Sequence, residues 1–413
     1  MPKLSDSMEE ATILHWLKAP GEPFAKGEPL VEVETDKATI VYEAEADGVL
    51  ASVLVAEGGT AQLGEPIATV AADDSAPASA PVDAPAKSGG HGEIDFRTAI
   101  RDALDEALAA DDRVVVFGED VAVAGGVFAA TPGLHEKYGS TRVFDTPISE
   151  LALAGAAFGS AVTGLRPVVE IMFGDFLGLV MDSVVNQMSK YWFLTQGEVS
   201  VPVVIRSVVG GGGRFGAIHS QMPVAWFTGV PGIKIVAPST PRDAKALLRA
   251  SIEDDNPVLF FEHKRLYTLQ GEVDGASAPL GRSAVVRPGT DVTIVSAMRG
   301  VHESLAAADT LASSGIDAEV VDLRTIRPLD SATILASLEK TNRLVVVEEG
   351  PLTGGWAGEV LALATEQGLG DLDDAWRIAT PDTPIPYSPP LEDAHLPGAA
   401  RIAAEISHRL EAR

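Results

Sequence analysis

The sequence predicts a multidomain chain: an N-terminal all-β domain, a flexible linker, and two α/β domains. Three observations carry that expectation. Its 413 residues, at roughly 100–200 per domain, imply two to four domains. A stretch of Ala, Pro, Ser and Gly with almost no large apolar residue interrupts the chain from Ala71 to Gly92. After it, short apolar runs alternate with helical segments; before it, they do not.

Composition narrows the function. With 46% hydrophobic and 22% charged residues the chain is of ordinary globular type. Acidic residues outnumber basic ones 59 to 31, and a net charge of −28 repels a phosphate backbone, which speaks against nucleic acid. With 0 cysteines, disulfides, thiolate zinc sites and thiol nucleophiles are excluded, so any redox chemistry needs a bound cofactor. The apolar run Leu151 to Leu165 is shorter than the ~20 residues a bilayer demands. MPKLSDSMEE lacks the basic-then-apolar pattern of a secretory signal. A soluble cytoplasmic protein without membrane or nucleic-acid partners is expected.

The first domain repeats itself. Gly21-Glu22-Pro23-Phe24-Ala25-Lys26-Gly27-Glu28-Pro29-Leu30 returns 37 residues later, from Gly58 to Ile67, as G-x-x-x-x-x-G-E-P and an aliphatic residue. Each copy runs into an alternating strand, Leu30 to Val33 and Ile67 to Val70, so two similar antiparallel sheets related by a pseudo-dyad are expected. Glu34-Thr35-Asp36-Lys37-Ala38 falls between alternating strands, where Asp and Lys suit a tight turn that puts Lys37 in solvent. Taken alone, such a lysine is a solvated charge. The linker that follows, if extended at about 3.1 Å per residue, spans on the order of 60 Å.

Beyond it, strands are expected at Val114 to Phe117, Pro167 to Met172, Val201 to Ile205, Ile233 to Val236 and Val258 to Phe261, apolar throughout as in a parallel sheet buried on both faces. Helices are expected at Ala99 to Ala109, Leu151 to Leu165 and Asp243 to Glu253. A second series has strands at Val292 to Ser296, Glu319 to Leu323 and Leu344 to Val347, and helices at Val301 to Ser313, Ser331 to Lys340 and Trp356 to Glu366. Residues Gly275 to Pro288 separate the two series.

Three segments could carry chemistry. In Asp145-Thr146-Pro147-Ile148-Ser149-Glu150, Thr146 and Pro147 suit an N-cap and first turn, placing Glu150 in the first turn of a helix. It is either a surface carboxylate favoured by the helix dipole or, if the face of Leu151, Ala154, Gly155, Phe158 and Gly159 is close-packed, a buried proton-transfer group. The glycines from Gly210 to Gly216 satisfy G-x-G-x-x-G, yet no helix opens on them and no acidic residue ends a following strand, so the dinucleotide reading fails. What remains is a flexible loop presenting His219. Met172-Phe173-Gly174-Asp175-Phe176 follows a strand, where aromatics are core or ligand contacts.

Over its whole length the first domain resembles the lipoyl domain of 2-oxo acid dehydrogenase complexes, through M-P-K-L-S-D-S-M and the T-D-K-A turn. Biotin carrier domains share that fold but flank the lysine with Met; Asp36 and Ala38 favour lipoate. From about Ile94 to its end the chain resembles the beta subunit of the thiamine-diphosphate-dependent decarboxylating component of those complexes. The matching segments are F-G-E-D at 117, D-T-P-I-S-E at 145, G-L-R-P at 164, H-S-Q at 219, V-V-D-L-R-T at 320 and P-D-T-P-I-P at 381.

The resemblance implies a lipoyl domain at 1–73, a linker at 74–93, a transketolase-like pyrimidine-binding domain at 94–275 and a transketolase C-terminal domain at 276–413. It implies lipoate in amide linkage on Lys37. Glu150 would hydrogen-bond the aminopyrimidine of thiamine diphosphate, Phe176 would stack on that ring, and His219 would assist acyl transfer to the lipoyl sulfur. Potassium would be held at Val203, Ser251, Ile252, Asp254 and Asn256. No G-D-G with a downstream Asn is present, so the diphosphate and its Mg2+ would belong to an alpha subunit in an α2β2 heterotetramer. Dihydrolipoyl acyltransferase and dihydrolipoyl dehydrogenase would complete the assembly. Pyruvate is the expected substrate, feeding acetyl-CoA synthesis, although the stretches Met172 to Phe176 and Glu262-His263-Lys264-Arg265-Leu266-Tyr267 look closer to acetoin-cleaving or branched-chain enzymes. A lipoyl-bearing assembly module without catalysis is the alternative of a different class.

Overall fold

A computed structural model describes residues 10–25, 28–34, 39–44, 48–62, 66–71, 92–275 and 277–411. The chain divides into two compact units, Met1–Lys87 and Ser88–Arg413.

The first unit is all β: β1 (Glu10–Trp16), β2 (Pro23–Phe24), β3 (Pro29–Glu34), β4 (Thr39–Glu43), β5 (Gly48–Val53), β6 (Thr60–Gln62) and β7 (Ala68–Ala71). They form two antiparallel sheets, ordered β4-β3-β1-β6 and β2-β5-β7. The repeat explains that order, because a shift of 37 residues carries β1, β2 and β3 onto β5, β6 and β7. The closing hydrogen bonds obey the same shift, the first pair crossing between the copies and the second lying within each. Gly21 N–H donates to Leu50 O (2.7 Å) and Gly58 N–H to Ile13 O (2.8 Å); Leu17 N–H donates to Leu30 O (2.9 Å) and Leu54 N–H to Ile67 O (2.8 Å). Gly21 and Gly58 both turn at positive φ, +89° and +81°, where a side chain would be strained. Ile13 and Leu50, equivalent in the two copies, are both fully buried in the shared core, each contributing roughly 1.5–3 kcal/mol.

The second unit begins with β8 (Glu93–Asp95) and α1 (Phe96–Ala110). Asp95 caps that helix by accepting from Thr98 N–H (2.8 Å), and Phe96, Ala99, Ile100, Ala103, Leu104 and Leu108 form its buried stripe at helical spacing. Then come β9 (Val114–Gly118), α2 (Leu134–Tyr138), β10 (Val143–Asp145), α3 (Glu150–Val162), β11 (Arg166–Ile171), α4 (Ser189–Leu194), β12 (Val204–Val209), β13 (Lys234–Val236), α5 (Pro241–Glu253), β14 (Val258–His263) and β15 (Gln270–Glu272). With a strand from the later series, β19 (Thr325–Arg327), a seven-stranded sheet results, ordered β10-β9-β11-β12-β14-β13-β19 and parallel except for its last strand.

The rest comprises β16 (Ala284–Arg287), β17 (Val292–Ser296), α6 (Arg299–Ser313), β18 (Ala318–Asp322), β19 (Thr325–Arg327), α7 (Ser331–Thr341), β20 (Arg343–Pro351), α8 (Ala357–Gln367), β21 (Asp374–Thr380), α9 (Pro389–His395) and α10 (Ala399–Glu411). Its five-stranded sheet runs β16-β18-β17-β20-β21. One face, through Val292, Ile294, Val345 and Val347, packs on α6 and α10; the other, through Val295, Val321 and Val346, joins the core of the larger sheet. With β19 paired to β13, the two α/β series share one continuous interior.

The fold class is as expected, and two local assignments change. Val201 to Val203 are not strand: Pro202 lacks the N–H a ladder needs, and pairing starts at Val204 and runs to Val209. Thr146 does not cap α3. The helix starts at Glu150 after Ser149, which makes no side-chain cap, while Thr146 Oγ1 is buried without a partner among the described residues. Its packed face is Leu153, Ala154, Ala157 and Ala161, whereas Leu151, Gly155 and Gly159 are exposed. A run apolar on every side offers no periodicity from which to choose a face.

Candidate active site

Parallel pairing aligns the carboxyl ends of five neighbouring strands. Gly118 of β9 lies beside Asp145 of β10 and Glu170 of β11, Ile171 beside Ser207 of β12, and Val209 beside His263 of β14. Five loops therefore leave one edge of the sheet, the edge at which open α/β sheets bind ligands. They carry Glu119, Glu150, Phe173 to Phe176, His219 and Lys264.

Glu150 is buried, as required of a proton-transfer group, and only 9% exposed. Its neighbour is Glu119, which the sequence reading passes over although it belongs to the F-G-E-D segment. Burial first, and the charge of Glu150 second, push the Glu119 carboxyl up; a hydrogen bond from the Ser149 backbone opposes them. Glu119 Oε1 is buried with no partner among the described residues. A buried, unpartnered carboxyl oxygen beside a second carboxylate suits a ligand that brings an N–H and exchanges a proton.

Across the edge, β11 and β12 deliver an aromatic cage. The His219 ring stacks on Phe173 at 4.4 Å between centroids, 20° from parallel, and Phe176 meets it edge-on at 5.5 Å. Phe173 also contacts Phe176, Phe215 and Phe128. His219 Nδ1 is buried and unpartnered among the described residues. Phe176 and His219 thus meet in one cluster. Gln221 closes the loop by donating from its N–H (3.3 Å) and Nε2 (2.9 Å) to Asp175.

Lys264 is also missed by the sequence reading, which uses its segment only to compare substrates. Its Nζ donates to the His219 carbonyl and lies 5.7 Å from the Phe173 centroid and 5.1 Å from that of Phe215. Burial lowers its pKa to about 8, against the pull of Asp175, Glu349 and Glu392.

Lys37 lies outside the described residues; the strands flanking it, β3 and β4, pair antiparallel with Glu34 opposite Thr39. The oxygens assigned to potassium have other partners. Val203 O accepts from Val258 N–H (2.8 Å), and Ser251 Oγ donates to Leu247 O (2.7 Å). Ile252 O and Asp254 O both accept from Arg166 Nη1, at 2.9 and 3.1 Å. The Asp254 carboxylate accepts from Lys234 and Asn256. The cations met by Ile252 O, Asp254 O and the Asp254 carboxylate are those of Arg166 and Lys234.

Residues 1–70 match the family described as biotin-requiring enzyme, 92–270 the pyrimidine-binding domain of transketolase, and 281–402 the transketolase C-terminal domain. The pyruvate dehydrogenase E1 component subunit beta of Rhizobium meliloti is 37% identical over 98% of this chain and 97% of its own. The acetoin:2,6-dichlorophenolindophenol oxidoreductase subunit beta of Cupriavidus necator is 46% identical over 76% of this chain and 96% of its own. Among solved structures, a split-gene transketolase described as an inactive beta4 tetramer superposes with a TM-score of 0.65 at 23% identity, covering 76% of this chain and 98% of that one.

Proposed function

The chain belongs to the beta subunits of the thiamine-dependent E1 component of 2-oxo acid dehydrogenases, with an N-terminal lipoyl domain, and from that premise we propose that it oxidatively decarboxylates pyruvate together with an alpha subunit. The observation that carries pyruvate is coverage. The Rhizobium meliloti relative matches lipoyl and α/β parts alike, whereas the acetoin relative, though more similar where it aligns, spans only 76% of this chain.

Thiamine diphosphate, when bound, supplies the carbon nucleophile that attacks the keto group and holds the electrons released with CO2. Glu150 and Glu119 fit its aminopyrimidine side, because neighbouring carboxyls, with that of Glu119 pushed up by burial and by the charge of Glu150, can accept from and donate to ring nitrogens. Phe176 offers the ring face. Phe173 and Phe176 exclude water around the His219 imidazole, whose free Nδ1 can carry the proton exchanged as the acyl group passes to the sulfur of lipoate on Lys37. An α2β2 assembly is supported by apolar side chains left in solvent, Ile148 (82% exposed), Leu151, Trp192, Phe193 (77%) and Leu194. The alpha subunit would hold the diphosphate and Mg2+, and the acyltransferase and dihydrolipoyl dehydrogenase components would take the product onward. We place the assembly in the cytoplasm.

The test is copurification with the alpha subunit and a screen of pyruvate, branched-chain 2-oxo acids and acetoin with an artificial electron acceptor. Pyruvate should give the highest kcat/KM by at least about tenfold, roughly 1.4 kcal/mol in transition-state binding. A lead for acetoin would replace pyruvate, and inactivity on all three would favour the assembly module. Intact mass should show lipoate at Lys37. His219→Ala should slow lipoyl acylation at least about tenfold more than decarboxylation, within the 10²–10⁴-fold reach of a positioned acid–base group.

A further inference from the structure

The loop from Gly210 to Gln221 is glycine-rich, yet it is tied at both ends. Gly210 leaves β12 at φ +92°, so close to His263 that a Cβ would collide with Nε2. Gly211 N–H donates to Glu349 (2.5 Å), whose other oxygen is 2.7 Å from His263 Nε2. Glu392 accepts from the N–H groups of Gly212 (2.8 Å) and Arg214 (3.2 Å) and from the Arg214 guanidinium (2.7 Å). Asp175 holds Gln221. None of these ties reaches the His219 carbonyl. Lys264 does, from the β14 loop, and its own backbone is fixed because His263 Nδ1 accepts from Arg265 N–H (3.1 Å).

We propose that Lys264 is a positioning residue: its ammonium grips the His219 carbonyl and the faces of Phe173 and Phe215, and so sets the imidazole against Phe173 and Phe176 for acyl transfer. The inference rests on the acyl-transfer reading of His219. A charge-assisted bond and two cation–π contacts act at one nitrogen, largely desolvated, where each is stronger than in water.

The grip has a pH signature. Lys264 is faced by Asp175 from the β11 loop, Glu349 from β20 and Glu392 from α9, all favouring its charge, while burial opposes it and brings the pKa to about 8. His219 and His263 are its other titratable neighbours, and Arg265 adjoins it. Below about pH 8 the ammonium is present and the loop is held; above it the charge is lost and acyl transfer should fall.

The test uses the copurified holoenzyme and compares lipoyl acylation with dye-linked decarboxylation across about pH 6.5–9.5, a range set to bracket the titration at about 8. Lys264→Met should lower acylation about tenfold more than decarboxylation, a difference of roughly 1.4 kcal/mol, and remove the alkaline fall. Lys264→Arg keeps charge and donor without titrating in this range, so it should restore most of the acylation and also lack the fall. In a His219→Ala background, Lys264→Met should add no further loss. If His219→Ala leaves acylation normal, the histidine reading fails and the lysine proposal with it. If His219→Ala slows acylation but Lys264→Met does not, or lowers both assays equally, or adds its loss to that of His219→Ala, only the lysine proposal is overturned.

Discussion

Glu150→Gln should lower decarboxylation by about 10²–10⁴-fold, the usual contribution of a positioned acid–base group, while leaving the proposed assembly with an alpha subunit intact. The substitution keeps the size of the side chain and a carbonyl acceptor at the first residue of α3 but removes its capacity to take a proton. The site is buried, and a neighbouring carboxyl is that of Glu119, pushed up first by burial and then by the charge of Glu150. Removing that charge lowers the Glu119 pKa and does not return a proton acceptor to the position of Glu150. Steady-state decarboxylation, with size-exclusion chromatography as the assembly control, checks this. Near-normal turnover in the variant would remove Glu150 from the mechanism.

Arg206→Leu should cost about 3–5 kcal/mol of stability, because it strips the cation from between two buried carboxylates. Arg206 is 1% exposed on the central strand β12; it donates from Nε (2.7 Å) and Nη2 (2.8 Å) to Glu262 on β14 and from Nη1 (2.8 Å) to Glu170 on β11. Tyr267 donates a further bond to Glu262 (2.6 Å), and burial raises the tyrosine well above its usual pKa. Burial also raises Glu170, with Arg206 the main opposing influence. A carboxyl whose folded pKa is raised contributes stability at low pH that is lost as pH climbs through that pKa. With the cation gone, Glu170 loses its main opposing influence and rises further, so the variant should lose more stability near neutral pH and above than in mild acid, read in urea titrations. Combining Arg206→Leu with Glu170→Gln and Glu262→Gln should recover much of the loss. A pH-independent loss below about 1 kcal/mol, the range of an exposed ion pair, would show that water reaches the triad.

Strand β17 is legible to the residue, since Val292-Thr293-Ile294-Val295-Ser296 is buried on both faces, β-branched over its first four residues and free of charge. Three-residue strands such as β10 are not: Val143-Phe144-Asp145 is too short to show a period and exists through pairing with β9. Within the site, Glu150 is legible because a lone carboxylate stands before a long apolar helix. Glu119 and Lys264 are not, because each acquires its meaning from a partner on another loop: Glu150 after β10 for the first, His219 after β12 for the second. Those meetings depend on the strand order β10-β9-β11-β12-β14, which chain order does not contain.

The crossed bonds of the first unit bear on how the chain emerges from the ribosome. Gly21 closes on Leu50 and Gly58 on Ile13, so each copy of the repeat depends on the other to satisfy one of its turns. The earlier half must wait, unfolded, until β7 has been made. At synthesis rates of about 5–20 residues per second, the roughly 40 residues between β7 and β9 then delay the first strand of the larger sheet by about 2–8 s. The lipoyl domain is thereby given time to close its seven described strands before the sheet of the α/β core exists to compete for them.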